Sequence, residues 1–180
     1  MKNAWLLLSM VFFFGCGREQ IQTYKAPKGS SSSPVVQASL PRTPMPADNG
    51  FESLLPDGWT EKPGSGMRIA SYAIEGTSID FYLISLAMGD VPSNVNRWRR
   101  QVGLPAVSPE EIGAEVDTLQ AGGHDLSYIE IYNEEGGRGI VAAIVDLAPE
   151  YWYFTAKGSV DELKANVSDI RTFLESIKVQ

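Results

Sequence analysis

The densest group of residues able to bind a charged ligand lies within residues 93–105, which read SNVNRWRRQVGLP. Arg97, Arg99 and Arg100 fall close together there, in a chain whose net charge is −7. A guanidinium group is planar and presents its N–H donors in a fixed fork, so it suits carboxylate recognition, including that of acidic peptides. Asn96 and the three arginines are therefore the candidate partner-binding residues. In the structural alternative, the arginines are solvated or pair with the acidic surface, and the asparagines fix neighbouring loops.

A second chemical group is Cys16, the only cysteine of the chain. It follows an apolar run, residues 4–14, that is too short to span about 30 Å of hydrocarbon as a helix but fits the apolar region of an export signal. Residues 13–16, Phe-Phe-Gly-Cys, resemble the bacterial lipobox, so we expect Cys16 to be diacylated and to become the mature N-terminus. Two or three acyl chains would make membrane attachment effectively stable. The alternative is an ordinary buried cysteine in an uncleaved membrane segment.

Groups suited to catalysis are sparse. With one cysteine and one histidine, the chain cannot form an intrachain disulfide, a Cys/His zinc cage or a Cys-x-x-Cys redox pair. His124 lies in a glycine-rich turn, where an exposed histidine is the ordinary interpretation. Asp80 and Asp146 lie in apolar strands, where burial would raise their pKa and would mark a site if the two converged. We predict no catalytic residue, no metal ligand and no cofactor.

Composition divides the 180 residues into three parts. A hydrophobic content of 43% and a charged content of 21% are typical of a globular domain, and the acidic balance argues against nucleic-acid binding. Residues 29–50 are rich in serine and proline and poor in large hydrophobic residues, so they cannot bury enough surface to offset the entropy of ordering. We expect a signal peptide in residues 1–15, an acylated cysteine and flexible tether in residues 16–54, and a globular domain in residues 55–180.

The elements that must position the arginines follow from hydrophobic periodicity. A capping residue at Ser93 or Asn94 is expected to begin a helix whose apolar stripe is Val95, Trp98 and Val102, and Gly103 is expected to end it. Capping boxes, Ser108 with Glu111 and Ser159 with Glu162, predict two further helices that begin after the two serines. Alternating patterns predict six strands, at residues 67–74, 79–88, 116–120, 126–133, 139–147 and 151–157. In the first of these, Met67 is expected to contact the core.

The resulting order, β-β-α-α-β-β-β-β-α, predicts an α+β fold with an antiparallel sheet covered by helices on both faces. This order, the Pro-x-Gly-Trp at residues 56–59 and the closing amphipathic helix resemble the PsbP/Mog1-type α/β/α sandwich. Residues 66–68, 94–99 and 103–105, with Trp152, also resemble a group of uncharacterised bacterial lipoproteins that share the stretch N-V-N-R-W-R-x-Q-x-G-L-P. The resemblance covers the globular domain and residues 24–28, and the fold it implies hosts non-enzymatic binding and assembly factors.

These observations lead us to expect a lipid-anchored protein on the extracytoplasmic face of a bacterial membrane. Its domain is expected to be a non-catalytic binding or assembly module of unknown ligand. The expected partners are the membrane, through the acyl chains, and another envelope protein or an acidic ligand. The absence of aspartate at position 17 implies, by resemblance to known sorting behaviour, the outer membrane in a cell with two membranes. The alternatives are a small envelope hydrolase, which Asp80, Asp146 and His124 lining one deep pocket would favour, and a purely structural envelope lipoprotein.

Overall fold

The computed structural model describes residues 50–87 and 89–180, so the expected signal peptide, Cys16 and residues 17–49 of the expected tether lie outside the described residues. Nine strands and three helices occur in this described part of the chain. In chain order they are β1 (Phe51–Glu52), β2 (Trp59–Pro63), β3 (Arg68–Ile74), β4 (Asp80–Leu86), α1 (Val91–Gln101), α2 (Pro109–Glu115), β5 (Asp117–Ala121), β6 (His124–Asn133), β7 (Arg138–Leu147), β8 (Glu150–Ser159), α3 (Val160–Glu175) and β9 (Lys178–Val179).

Seven of the strands form one sheet in the order β2-β3-β4-β8-β7-β6-β5, and β1 pairs with β9 in a separate two-stranded sheet. Every recorded pairing is antiparallel. The central hairpin pairs β7 with β8 along its whole length, from Arg138 opposite Ser159 to Leu147 opposite Glu150. The predicted α+β class with an antiparallel sheet is therefore confirmed.

The side chains of β7 alternate between two separate hydrophobic cores, because successive residues of a strand point to opposite faces of a sheet. The core that contains the buried residues of α3, named here the α3 core, receives Val141, Ala143 and Val145. The core that contains the buried residues of α1 and α2, named here the α1 core, receives Ile140, Ala142 and Ile144. The continuous apolar run of β7 is thus explained by burial on both of its sides.

Helix α1 begins earlier than the sequence pattern predicted. Its N-cap is Asp90, whose Oδ1 accepts a hydrogen bond from the Ser93 N–H at 2.8 Å, and Pro92 occupies the first turn. The prediction that Ser93 or Asn94 caps the helix is therefore wrong. The Asp90 carboxylate already accepts the hydrogen bond from the Ser93 N–H, so the helix begins directly after Asp90. The predicted end is confirmed: Val102 is the C-cap, and Gly103 follows it with φ +87°.

Three strands were not predicted, namely β1, β2 and β9. Strand β1 lies within residues 16–54, the range predicted as tether, and Phe51 packs edge-on against Trp152 and Phe154. Strand β2 places Trp59 in the α3 core, stacked on Phe173 with ring centroids 5.5 Å apart. The prediction of Met67 as a core residue is wrong, because this side chain lies just before β3 and is 71% exposed.

Candidate functional site

Helix α1 presents a packing side to the sheet, as predicted. Val95, Trp98 and Val102 are all buried in the α1 core. Their spacing of three and four residues places them on one stripe of the helix, so the polar residues between them lie on its flanks and its outer side. These polar residues are the candidate site.

Asn96 is used inside the domain. Its Oδ1 accepts a hydrogen bond from the Val107 N–H, and its Nδ2 donates one to the Val107 carbonyl oxygen, each at 2.9 Å. This pair of bonds attaches α1 to the connection that leads to α2 and satisfies two backbone groups that lie outside regular structure. The side chain of Asn96 is therefore held against Val107 inside the domain, with one N–H and one oxygen lone pair already used.

Arg99 is also held within the domain. Its Nε donates to the Pro105 carbonyl oxygen at 2.9 Å, and its Nη1 lies 3.5 Å from Oε2 of Glu115 on α2. Only 14% of its side chain is exposed. Arg99 and Asn96 thus act together as clamps between α1 and the segment that follows it.

Arg97 and Arg100 are different, because both are exposed. Together they line a shallow cavity of about 410 Å³ that Asp90, Ser93 and Asn94 also line. Arg97 donates a hydrogen bond from Nη2 to Oδ1 of Asn94, while the Arg100 side chain has no hydrogen bond or ion pair with another described residue. We name the exposed surface of Arg97 and Arg100 the arginine face.

The arginine face lies above a buried polar floor. Asn94 is 5% exposed; its Nδ2 donates to the Asp90 carbonyl oxygen at 2.8 Å and lies 3.4 Å from the Tyr153 hydroxyl oxygen. Burial raises the pKa of Tyr153, so its hydroxyl stays protonated at neutral pH. Gly89 closes this floor with φ +147°, and a Cβ there would stand 2.1 Å from the Tyr153 hydroxyl oxygen. Arg97 is therefore oriented by Asn94, whose own side chain is held by hydrogen bonds to Asp90 and Tyr153.

Among the described residues that line this cavity, Asp90 carries the one carboxylate. The Ser93 backbone N–H bonded to it holds the pKa of Asp90 below its usual value, so this carboxylate is ionised at neutral pH. Because Asp90 caps the helix, its charge faces the N-terminus of α1, where the helix macrodipole favours an anion.

Asp80, Asp146 and His124 do not come together. Asp80 is exposed and forms a bidentate ion pair with Arg68, with N···O distances of 2.7 and 2.8 Å. Asp146 is exposed at the opposite end of the sheet: Asp80 faces Lys157 on β8, and Asp146 faces Tyr151. Those two positions are six residues apart along β8, which is about 20 Å. The expectation that either aspartate could be buried in its strand is wrong.

The interpretation of His124 as an exposed turn residue is wrong, because the turn is only Gly122 and Gly123. His124 begins β6, pairs with Ala121 of β5 and is half-buried. Asp125, the next residue, lines a cavity of about 600 Å³ together with Asp146, whereas the cavity that Asp80 lines is a different one. His124 lines neither of these two cavities. Asp80, Asp146 and His124 therefore do not line one pocket, which is the arrangement that would have favoured a hydrolase.

Metal ligands and membrane-spanning helices were both sought in residues 50–87 and 89–180. No three histidine, cysteine, aspartate or glutamate side chains among them are placed to hold one metal ion. None of their helices is long and apolar enough to cross a membrane.

Neither a protein-family model nor a curated protein sequence matches this chain. Similar solved structures include one from Bacteroides thetaiotaomicron, at 11% identity and TM-score 0.44, which covers 73% of this chain but only 45% of that one. LpqN, involved in cell envelope biogenesis of Mycobacterium tuberculosis, is 14% identical with TM-score 0.48 over 72% of this chain and 83% of its own. Cyanobacterial PsbP (CyanoP) from Synechocystis sp. PCC 6803 is 15% identical with TM-score 0.47 over 73% and 88%. These values are too low to assign a family or a function.

The sequence pattern located the arginine group but missed the residues that form the buried polar floor beneath it. Asp90, Gly89 and Tyr153 were not singled out, although an aspartate two residues before a proline is a recognisable helix start. The roles of Asn94 and Tyr153 depend on a contact between residues 59 positions apart, which no local pattern carries.

Proposed function

We propose that this protein is a lipid-anchored extracytoplasmic lipoprotein whose domain is a non-catalytic binding or assembly module. Its proposed architecture is the PsbP/Mog1-like α/β/α sandwich. This assignment is supported by the two hydrophobic cores, one containing buried residues of α3 and the other containing buried residues of α1 and α2. The proposed ligand is a carboxylate-bearing segment of another envelope protein. It would contact the arginine face.

The observation that carries this proposal is that α1 has one arginine held against the chain that follows the helix and two arginines that are exposed. Arg99 is clamped by Pro105 and Glu115, whereas Arg97 and Arg100 remain exposed on one side of the helix. Residues three apart on a helix have Cβ atoms about 5–6 Å apart, so one acidic side chain or two neighbouring ones can contact both guanidinium groups.

The expected affinity is modest. An exposed ion pair contributes about 0.2–1 kcal/mol, so two such pairs add roughly 0.4–2 kcal/mol to whatever apolar contact the partner makes. Binding should weaken as salt rises, because exposed charges are screened within about 8 Å at physiological ionic strength. Attachment of both partners to one membrane would raise their effective concentration and compensate for a weak contact.

The anchor is supported by the position of Cys16, since the only cysteine of the chain stands where the lipobox-like pattern requires one. Metabolic labelling with palmitate tests it. We expect label in the wild-type protein and none in Cys16→Ser. Label that persists in the serine variant would overturn the anchor assignment.

A crosslinking pull-down from the native envelope tests the arginine face. The test variant is Arg97→Ala/Arg100→Ala, and the matched control is Lys62→Ala/Lys164→Ala, which removes the same charge from exposed positions on β2 and α3. We expect a discrete partner to be recovered with wild type and control and lost with the double arginine variant. Equal recovery from all three would remove the arginine face from the site.

A further inference from the structure

A cavity of about 590 Å³ lies on the other side of the sheet from the arginine face. It is formed by β1, the C-terminal end of α3 and the segment leading into β9, with Gly122 of the β5–β6 turn at its rim. Phe51 and Ile177, which line it, both belong to the α3 core. This cavity is therefore separate from the surface that the proposed function uses.

The walls of this cavity combine negative charge with exposed apolar surface. Glu52, Glu61 and Glu175 line it, against one cationic lining residue, Lys178. Arg171 partly offsets the negative charge at one edge of the cavity, because its Nε lies 3.6 Å from Oε1 of Glu175. Carboxylates thus outnumber cations around an opening whose floor is apolar.

Leu54 supplies an apolar rim to the same cavity. Its side chain is 77% exposed, and its neighbour Leu55 is 40% exposed. Leu54 is held in place by its backbone, since its N–H donates to the Ser176 hydroxyl oxygen at 2.9 Å. The Leu54 side chain therefore gives the cavity an exposed apolar edge that a partner could cover.

Tyr72 does not line the cavity, but it lies beside it on β3, the strand that pairs with β2. It is 3% exposed, and its hydroxyl has no hydrogen-bond partner among the described residues. Tyr72 stands directly opposite Glu61 in the β2–β3 pairing, and its ring lies 4.7 Å from that of Phe173 on α3. Burial, and secondarily the charge of Glu61, raise the pKa of Tyr72, so the hydroxyl is a protonated donor. A buried donor without an acceptor is unfavourable and uncommon.

We propose that this cavity binds a protein segment that carries lysine or arginine next to a large apolar side chain. The cationic group would face Glu52 and Glu175, and the apolar side chain would cover Leu54 and Phe51. The domain would then recognise an acidic partner on its α1 side and a basic one on its α3 side. Such a module can hold two proteins together.

Binding of defined peptides to the full chain tests this proposal. The full chain is reconstituted in nanodiscs of neutral phosphatidylcholine, and empty nanodiscs serve as the blank. Three fluorescein-labelled hexapeptides are titrated by fluorescence anisotropy, alternating leucine with lysine, leucine with glutamate, and serine with lysine. We expect saturable binding of the leucine–lysine peptide, at least about tenfold weaker binding of the serine–lysine peptide, and no binding of the leucine–glutamate peptide.

The variants locate the site. Glu52→Gln/Glu175→Gln should raise the Kd of the leucine–lysine peptide about tenfold, and Leu54→Ser should raise it by a similar factor. Glu110→Gln/Glu135→Gln is the matched control, because it makes the same charge change at exposed positions outside the cavity. Equal loss in the control, or an unchanged Kd in both test variants, would overturn the proposal.

Sedimentation velocity of the same sample without peptide checks whether a second copy occupies the cavity. We expect the sedimentation coefficient to be independent of protein concentration. Self-association that Glu52→Gln/Glu175→Gln abolishes would overturn the assignment of a basic partner segment. Because none of these variants touches α1, failure here leaves the proposed role of the arginine face to its own test.

Discussion

Replacement of Asn96 by alanine separates the structural residues of α1 from its binding residues. Asn96→Ala removes both hydrogen bonds to Val107 and leaves a partly buried N–H and C=O without those partners. Each bond contributes about 1 kcal/mol net, so we expect the free energy of unfolding to fall by about 2 kcal/mol. Arg99→Ala should cost about 1 kcal/mol, because it removes one bond to Pro105 and a longer, screened ion pair.

Arg100→Ala is the matched comparison on the same helix. Its side chain contacts no described residue through a hydrogen bond or ion pair, so we expect a change of at most about 0.5 kcal/mol. Urea unfolding followed by tryptophan fluorescence measures all three variants. With an m-value of roughly 2 kcal/mol/M, Asn96→Ala should lower the midpoint by about 1 M at constant m. A loss in Arg100→Ala as large as that in Asn96→Ala would refute the division of α1.

Three further outcomes follow from the geometry, each measured by thermal or urea unfolding. Gly89→Ala should destabilise the domain by about 2–4 kcal/mol, because the new Cβ would meet the Tyr153 hydroxyl at a φ of +147°; a change below about 0.5 kcal/mol would contradict this contact. Tyr72→Phe should stabilise the free protein by about 1 kcal/mol by removing a buried unpaired hydroxyl, and a loss of stability would indicate a partner for it. Hydrogen bonds from Ser78 hold the pKa of Glu162 below its usual 4.5, so its stabilising contribution is present above that pH and is lost as the pH falls through the lowered value. The Tm of wild type should therefore fall more steeply below about pH 4.5 than that of Glu162→Gln, and parallel curves would contradict this.

Features decided by neighbouring residues could be predicted from the sequence. The capping box of α2 is one, since the Ser108 hydroxyl accepts from the Glu111 N–H and the Glu111 carboxylate accepts from the Ser108 N–H. The cap of α3 was predicted only in part. Ser159 accepts from the Glu162 N–H as expected, but the Glu162 carboxylate accepts hydrogen bonds from the Ser78 N–H and hydroxyl.

Features decided by distant pairing could not be predicted. Strands β1 and β9 are two residues each, and they exist because Phe51 lies opposite Val179 at the far end of the chain. The exposure of Asp80 was also beyond the local pattern, because it depends on Arg68 approaching from the neighbouring strand. In both cases the partner residue lies outside the local stretch of sequence from which a strand is predicted.

The candidate site, too, could be predicted only as far as it depends on neighbouring residues. The three arginines and Asn96 could be selected as a group because charge and spacing are local properties. Which of them remain exposed depends on the path of the chain after α1, which brings Val107 to Asn96 and Pro105 to Arg99. The sequence therefore identified the helix, and the structure reduced four candidates to the arginine face.

Site-specific photocrosslinking in the native envelope tests the arginine face most directly. A benzoylphenylalanine replaces Ser93, which is exposed and lines the same cavity as Arg97 and Arg100, and the control position is Glu110, exposed on α2. We expect a discrete adduct from position 93 that disappears in the Arg97→Ala/Arg100→Ala background and is absent from position 110. The same adducts from position 93 with and without the two arginines would contradict it.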